Sequence, residues 1–216
     1  MFKIIYWRWS RLACEPQWNS SMPYSTQHKQ ATRTRIVEAA RALFNRRGFV
    51  GVSIDEIMES AKLTRGGFYN HFASKEELYV EAVQSYTHTN PTERWEEVDL
   101  DFNARGAEFA RQFVHAYLSR AHLEDIEGQC PMIALPSDVA RTSVGVKRAY
   151  RGLFEDMARI FEAGAESNTV VRQRGLALSA LCVGAMVVAR AVDDADYANE
   201  IRGAARDLAL TVIAGW

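Results

Sequence analysis

The stretch Arg65-Gly66-Gly67-Phe68-Tyr69-Asn70-His71-Phe72 gathers the residue types most suited to chemistry at a polar surface. Phe68 and Phe72 stand at i and i+4, so a helix here turns both rings to one side and leaves Arg65, Gly66, Tyr69 and Asn70 on the other. An arginine near the start of such a helix can pair bidentately with a guanine edge in a DNA major groove. Thr64, Tyr69, His71 and Lys75 offer hydroxyl, imidazole and ammonium groups suited to phosphate oxygens. Two adjacent glycines cost a short helix roughly 1 kcal/mol each. They suit a helix whose backbone must approach another surface closely.

Such a probe needs elements to hold it. Ile36, Ala40, Leu43 and Phe44 form one apolar stripe, which predicts a helix over 32–47 closed by Gly48. Ser53 and Glu56 form a capping box that opens a second helix with Ile54, Ile57, Met58 and Ala61 inside. Lys62-Leu63 makes the turn, and Thr64 is expected to cap the third helix. Ser74 and Glu77 read as another capping box, opening a helix that runs to 86 or 89. Helix, tight turn and short second helix have the layout of a helix-turn-helix. The basic flank Lys29, Arg33 and Arg35 strengthens a nucleic-acid reading, and Ser53 and Arg33 complete the expected set of DNA-facing residues.

With these motifs in place, residues 33–80 resemble the DNA-binding domain of the TetR family (TetR/AcrR type) of bacterial transcriptional regulators. The match runs through Arg33-x-x-Ile36, Leu43-Phe44, Gly48-Phe49, Val52-Ser53-Ile54 and Ile57. It continues through Ala61-x-Leu63-Thr64, Gly66-x-Phe68-Tyr69-x-His71-Phe72 and Ser74-Lys75-Glu76-x-Leu78. The resemblance implies a homodimer whose paired heads bind a near-palindromic double-stranded DNA operator. It also implies a helical C-terminal domain that dimerises and binds a small molecule, usually releasing DNA. By position it makes Thr64, Tyr69, His71 and Lys75 backbone contacts, with Arg65 and Gly66 base-facing. Lys62 departs from the glycine often found in that turn.

The rest of the chain reads as all-α: a three-helix head at 29–74 and a helical regulatory and dimerisation domain at 75–216. Asn90-Pro91 breaks the helix after the head. Further helices are expected at 106–122, 144–166, 170–192 and 196–213, with a short element between Pro131 and Pro136 and a brief helix at 138–142. Residues 176–192 are almost wholly apolar but short for a membrane span and end at Arg190, so a buried helix is expected. That helix and the last one are assigned to a subunit interface. Phe109, Phe113, Tyr117, Met132, Phe154, Met157 and Met186 are candidates to line an apolar ligand pocket. Gly128-x-Cys130-Pro131 resembles a pattern in some regulators of this type, including ones that respond to electrophiles, so Cys130 joins the ligand candidates.

Composition narrows the alternatives. The net charge of −1 conceals a basic front, with 12 Lys/Arg against 8 Asp/Glu over 1–90, and an acidic remainder with 14 against 19. Cys14, Cys130 and Cys182 are too few and too scattered for a disulfide framework, which points to a reducing, cytoplasmic setting. No nucleophile elbow, phosphate loop or metal spacing is present, so neither catalytic residue nor cofactor nor metal is assigned. His115 and His122, seven apart, are a weak metal pair. An enzyme or a protein-binding adaptor on a helical bundle is the alternative. Residues 1–28 are read as an extension, with Met22 as the natural start and 1–21 upstream of it.

Overall fold

The computed structural model describes residues 26–88, 94–95, 98–162 and 168–215, and every regular element among them is helical. The expectations about residues 1–21 and about the break at Asn90-Pro91 lie outside the described residues.

Helix α1 spans Thr26–Arg47 and starts six residues before the expected start at 32, ahead of the apolar stripe. Its first turns, with Gln27, Lys29, Gln30 and Ala31, contain good helix formers without an inward-facing apolar residue. Periodicity therefore had nothing to register there. Ile36, Val37, Ala40 and Phe44 are buried along its inner face. Gly48 ends the helix at φ +72°, and its N–H closes on the Phe44 carbonyl at 2.8 Å. Helix α2 spans Ile54–Ser60, and its capping box is complete in both directions. Three groups hold the Glu56 carboxyl down at about 2: the Ser53 backbone N–H, the Ser53 hydroxyl and Arg47.

The chain leaves α2 through Lys62 at φ +57°, where the Leu63 N–H bonds the Met58 carbonyl at 2.8 Å. A left-handed lysine is strained by roughly 1 kcal/mol relative to glycine. Lys62→Gly is therefore expected to raise stability by about 0.5–1 kcal/mol in urea unfolding, after allowance for the freer unfolded chain. A loss of stability would contradict the strain.

The next element is a 3-10 helix, Arg65–Asn70, rather than an α-helix. The Thr64 hydroxyl makes no cap, contrary to expectation, and the Thr64 carbonyl instead takes the Gly67 N–H at 3.0 Å. Helix α3 spans Lys75–Ser85 and continues as one 3-10 turn, Tyr86–His88. Its expected capping box is half formed. Ser74 Oγ accepts from the Glu77 N–H at 3.1 Å, but the Glu77 carboxylate reaches one residue further, to the Ala73 N–H at 2.7 Å.

In the body, α4 spans Gly106–Tyr117 and α5 spans Arg120–Glu124. One helix had been expected across 106–122. The break falls at Leu118-Ser119, where Ser119 caps a new helix by accepting from the His122 N–H at 3.1 Å. Pro131 and Pro136 each start a short helix, α6 (Pro131–Ala134) and α7 (Pro136–Ala140). Helix α8 spans Val144–Glu162, and its expected continuation to 166 lies outside the described residues. Helices α9 (Thr169–Ala191) and α10 (Ala195–Ala214) complete the body. Gly175 lets α9 press onto α8, since a Cβ there would stand 2.9 Å from the Ala158 carbonyl oxygen.

Head and body share one hydrophobic core, running from Ile36 and Phe44 through Leu78 and Val83 to Met157, Met186 and Ile213. Helix α3 serves both, so the boundary expected at 74/75 does not separate two cores. Two polar contacts fasten the seam. Asn45 Nδ2 donates to the carbonyls of Glu127 and Gln129, both at 3.0 Å. Asp138 Oδ2 accepts the Phe49 N–H at 3.0 Å and lies 2.1 Å from where a Cβ on Gly48 would be.

Candidate nucleic-acid interface

Phe68 and Phe72 are fully buried, as their spacing requires, with ring centroids 5.7 Å apart. They anchor the 3-10 helix against α1 and α2 and leave its other side in solvent. On that side Arg65, Gly66 and Asn70 are exposed, and Tyr69 is 62% exposed with its ring edge on Phe68. Arg65 pairs with Asp55 of α2 at 2.8 Å in an open position. A pair so exposed holds the guanidinium only lightly, and a base edge can replace the carboxylate.

Both glycines lack an internal reason. Neither has positive φ, a Cβ on Gly66 would meet nothing within 4 Å, and one on Gly67 would find only ordinary contacts, nearest Met58 Cε at 3.6 Å. Nothing inside the protein requires the bare backbone there, while the helix loses stability by it. A cleft of about 760 Å³ opens beside them, between His28, Lys29, Thr32 and Arg35 of α1 and Thr64, Gly66, Asn70 and His71. The His71 imidazole is held below its ordinary value by burial first, then by Lys29 and Arg33, so it stays neutral at pH 7. Its Nδ1 is buried without a hydrogen-bond partner among the described residues.

Three expected contacts are committed inside the head. Arg33 is a clamp: its guanidinium lies 4.0 Å over the Phe72 ring, bonds the His71 carbonyl, and pairs with Glu77 and Glu81 of α3. Lys75 turns its ammonium onto the Phe49 carbonyl and lies 4.3 Å above that ring, and burial lowers its pKa. Ser53 spends its hydroxyl on Glu56. The sequence reading missed this because residue type and spacing do not fix where a long side chain folds. Arg35, counted in the basic flank, bonds the Ala61 carbonyl and ties α1 to the turn. Those that remain outward are Arg65, Gly66, Tyr69 and Asn70, with Thr64 and His71 at the edge.

In the body the ligand candidates divide. Phe109 packs on a small cluster of Trp95, Val98, Leu100 and Ala116. Tyr117, Cys130, Met132, Met157 and Met186 are buried in the main core, with Phe113 and Phe154 half-buried against it. Phe113 stacks on Tyr117 at 5.6 Å and meets Phe161 edge-on at 5.8 Å. The Tyr117 hydroxyl is buried beside the Cys130 thiol and makes no well-aligned hydrogen bond among the described residues. Burial pushes the Cys130 thiol up to about 12, the opposite of a reactive thiolate. His122 is also interior, with burial taking it down to about 4, whereas His115 is exposed, so the two do not form a site. Among the described residues no group of three or more metal-ligating side chains comes together.

Helix α9 is long and apolar enough to cross a membrane by length and composition alone. Leu178, Cys182 and Met186 are buried in the core, so the expectation of a buried helix holds for one face only. Its outer face, with Leu181, Gly184 and Val188, joins Ile201, Ala204 and Leu208 of α10 in an open apolar groove of about 580 Å³.

A short outward-facing helix on a buried aromatic anchor, preceded by a capped helix and a tight turn, defines a helix-turn-helix DNA-binding head on an all-helical body. Residues 36–82 match the family model described as bacterial regulatory proteins, tetR family. The head therefore carries the DNA-binding segment of that family. The Transposon Tn10 TetC protein of Escherichia coli is 40% identical over 55 residues, which are 26% of this chain and only 28% of TetC. The chain thus matches little more than a quarter of that relative's length. The HTH-type transcriptional repressor NemR of E. coli K12 is 23% identical over 177 residues, covering 76% of this chain and 86% of NemR. A TetR transcriptional regulator from Chloroflexus aurantiacus superposes with TM-score 0.64 at 23% identity, over 88% of this chain and 97% of that one. At that identity the likeness concerns the fold.

Proposed function

We propose that the protein is a sequence-specific transcriptional repressor of the cytoplasm that binds a palindromic DNA operator as a homodimer and is released by a small molecule. The observation that carries this reading is the pair Gly66-Gly67, bare of side chains on an exposed face where the fold itself has no use for bareness. Arg65, which immediately precedes them, is the base-reading group, with Tyr69 and Asn70 beside it. Thr64, His71, Lys29 and the rim of the cleft supply phosphate contacts. Lys75 can join them only by leaving Phe49. Two heads related by a two-fold axis present their helices to successive major grooves, roughly 34 Å apart. The apolar groove on α9 and α10 is the surface that brings the heads together.

The effector site is assigned to the body near Phe113, Tyr117, Phe154 and Met157, where the buried Tyr117 hydroxyl supplies a polar group amid aromatic surface. The repressor named among the relatives supports the sign of regulation. For the alternatives of an enzyme or an adaptor, no supporting constellation stands out among the described residues.

Fluorescence anisotropy on duplexes taken from the DNA beside the protein's own coding region tests the proposal. Arg65→Ala is expected to weaken the preferred duplex by about 1–3 kcal/mol, roughly 5- to 150-fold, and to flatten discrimination at one base position in each half-site. Equal affinity of native and variant protein for every duplex would refute the role.

A further inference from the structure

Asp55 and Arg65 stand on different helices of the head and meet on its outward side. Arg65 Nη1 donates to Asp55 Oδ2 at 2.8 Å, and both side chains are more than half exposed. That contact takes one of the five donors of the guanidinium. The edge formed by Nε and Nη2 makes no hydrogen bond among the described residues. A guanidinium edge of two parallel donors is what pairs with O6 and N7 of a guanine. Arg65 can therefore hold the carboxylate and a base at the same time. The fold itself asks little of Asp55. The start of α2 is already closed in both directions by Ser53 and Glu56. Asp55 is exposed, and Arg65 is its one hydrogen-bond partner among the described residues. A carboxylate in a first turn gains a little from the helix dipole. On a face that meets phosphates it also repels the ligand.

We propose that Asp55 is a specificity-determining positioning residue, which stays on Arg65 in the DNA complex and turns the free edge of the guanidinium towards one base. A long arginine side chain loses rotamer freedom when it is fixed on a base edge, and the carboxylate removes part of that freedom beforehand. A guanidinium already facing a carboxylate also gains less by neutralising a phosphate, so binding that ignores sequence profits little from it. The two effects act in the same direction, favouring the correct duplex over all others. The inference rests on the base-reading role proposed above for Arg65.

Anisotropy titrations of the full chain on two duplexes test it: the preferred one, and one altered at the base pair where Arg65→Ala loses discrimination. Asp55→Asn is expected to bind the preferred duplex roughly 5-fold more weakly than native protein, and the altered duplex no more weakly. Its Tm is expected to stay within about 3 °C of native, since only a dipole contact is lost from the fold. In an Arg65→Ala background the same substitution is expected to cost no affinity, whereas a merely structural part in α2 would cost the same in both backgrounds. Glu59→Gln removes the same charge from the same helix and is expected to discriminate as the native protein does. The inference is overturned if Asp55→Asn binds the preferred duplex as tightly as native protein or more tightly, the result expected of a carboxylate that the base must displace. It is equally overturned if the loss persists without Arg65, or if Glu59→Gln reproduces it. A native protein that prefers no duplex would sink the base-reading role of Arg65 and this inference with it, whereas native discrimination kept by Asp55→Asn would sink this inference alone.

Discussion

Phe68→Ala is expected to lower stability by about 3–5 kcal/mol and to abolish DNA binding even where the body remains folded. Phe68 is wholly buried, and its carbonyl accepts the N–H groups of both His71 and Phe72, which lock the end of the 3-10 helix. That helix has little else to hold it. It is six residues long, has no side-chain cap, and carries two glycines. Its geometry depends on the Phe68 and Phe72 rings rather than on propensity, so removing one ring leaves a cavity and releases the surface that carries Arg65. Phe68→Leu keeps most of the volume and should lose far less. Urea unfolding gives the stability change, and anisotropy at temperatures well below Tm gives DNA affinity. A stability loss under about 1 kcal/mol would mean that the ring is not the anchor.

Leu208→Arg is expected to convert a dimer into a monomer and to weaken operator binding on the order of 100-fold or more. Leu208 is 55% exposed on α10, opposite Val188 of α9, which is 51% exposed. In a two-fold interface every substitution enters twice, so two charges would be buried without partners. Loss of the tie between two heads removes the local concentration of the second once the first is bound, an effect of 10²- to 10⁴-fold. Leu208→Ala is expected to be milder. Sedimentation velocity at micromolar concentration reports the assembly, and the melting temperature shows that the fold is intact. If L208R remains dimeric, the groove is not the interface.

The helix-turn-helix was legible in the sequence because its signals are local. The box of Ser53 and Glu56 spans four residues, the stop at Gly48 one, and the anchor of Phe68 and Phe72 five. The split at Leu118-Ser119 escaped because apolar periodicity carries through it and the cap at Ser119 has no acidic partner to mark it. Arg33 and Lys75 were assigned outward by their charge. In the fold they find an aromatic ring, a carbonyl and, for Arg33, two carboxylates, partners 26 to 48 positions away in the chain. The contacts of Asn45 and Asp138 across the seam span 82 to 89 positions. Pairings at that separation leave no pattern in a single sequence.

The carboxylate of Asp138 seated on the bare α-carbon of Gly48 has a bearing on chimeras. A head grafted from one regulator onto the body of another brings its own residue at the first position but inherits the second from its host. If that residue has a side chain, it collides with the aspartate. If the host offers no acid, the Phe49 amide loses its acceptor. Exchange of operator specificity between such proteins should therefore succeed when both positions travel together, and tilt or loosen the transplanted head when they do not.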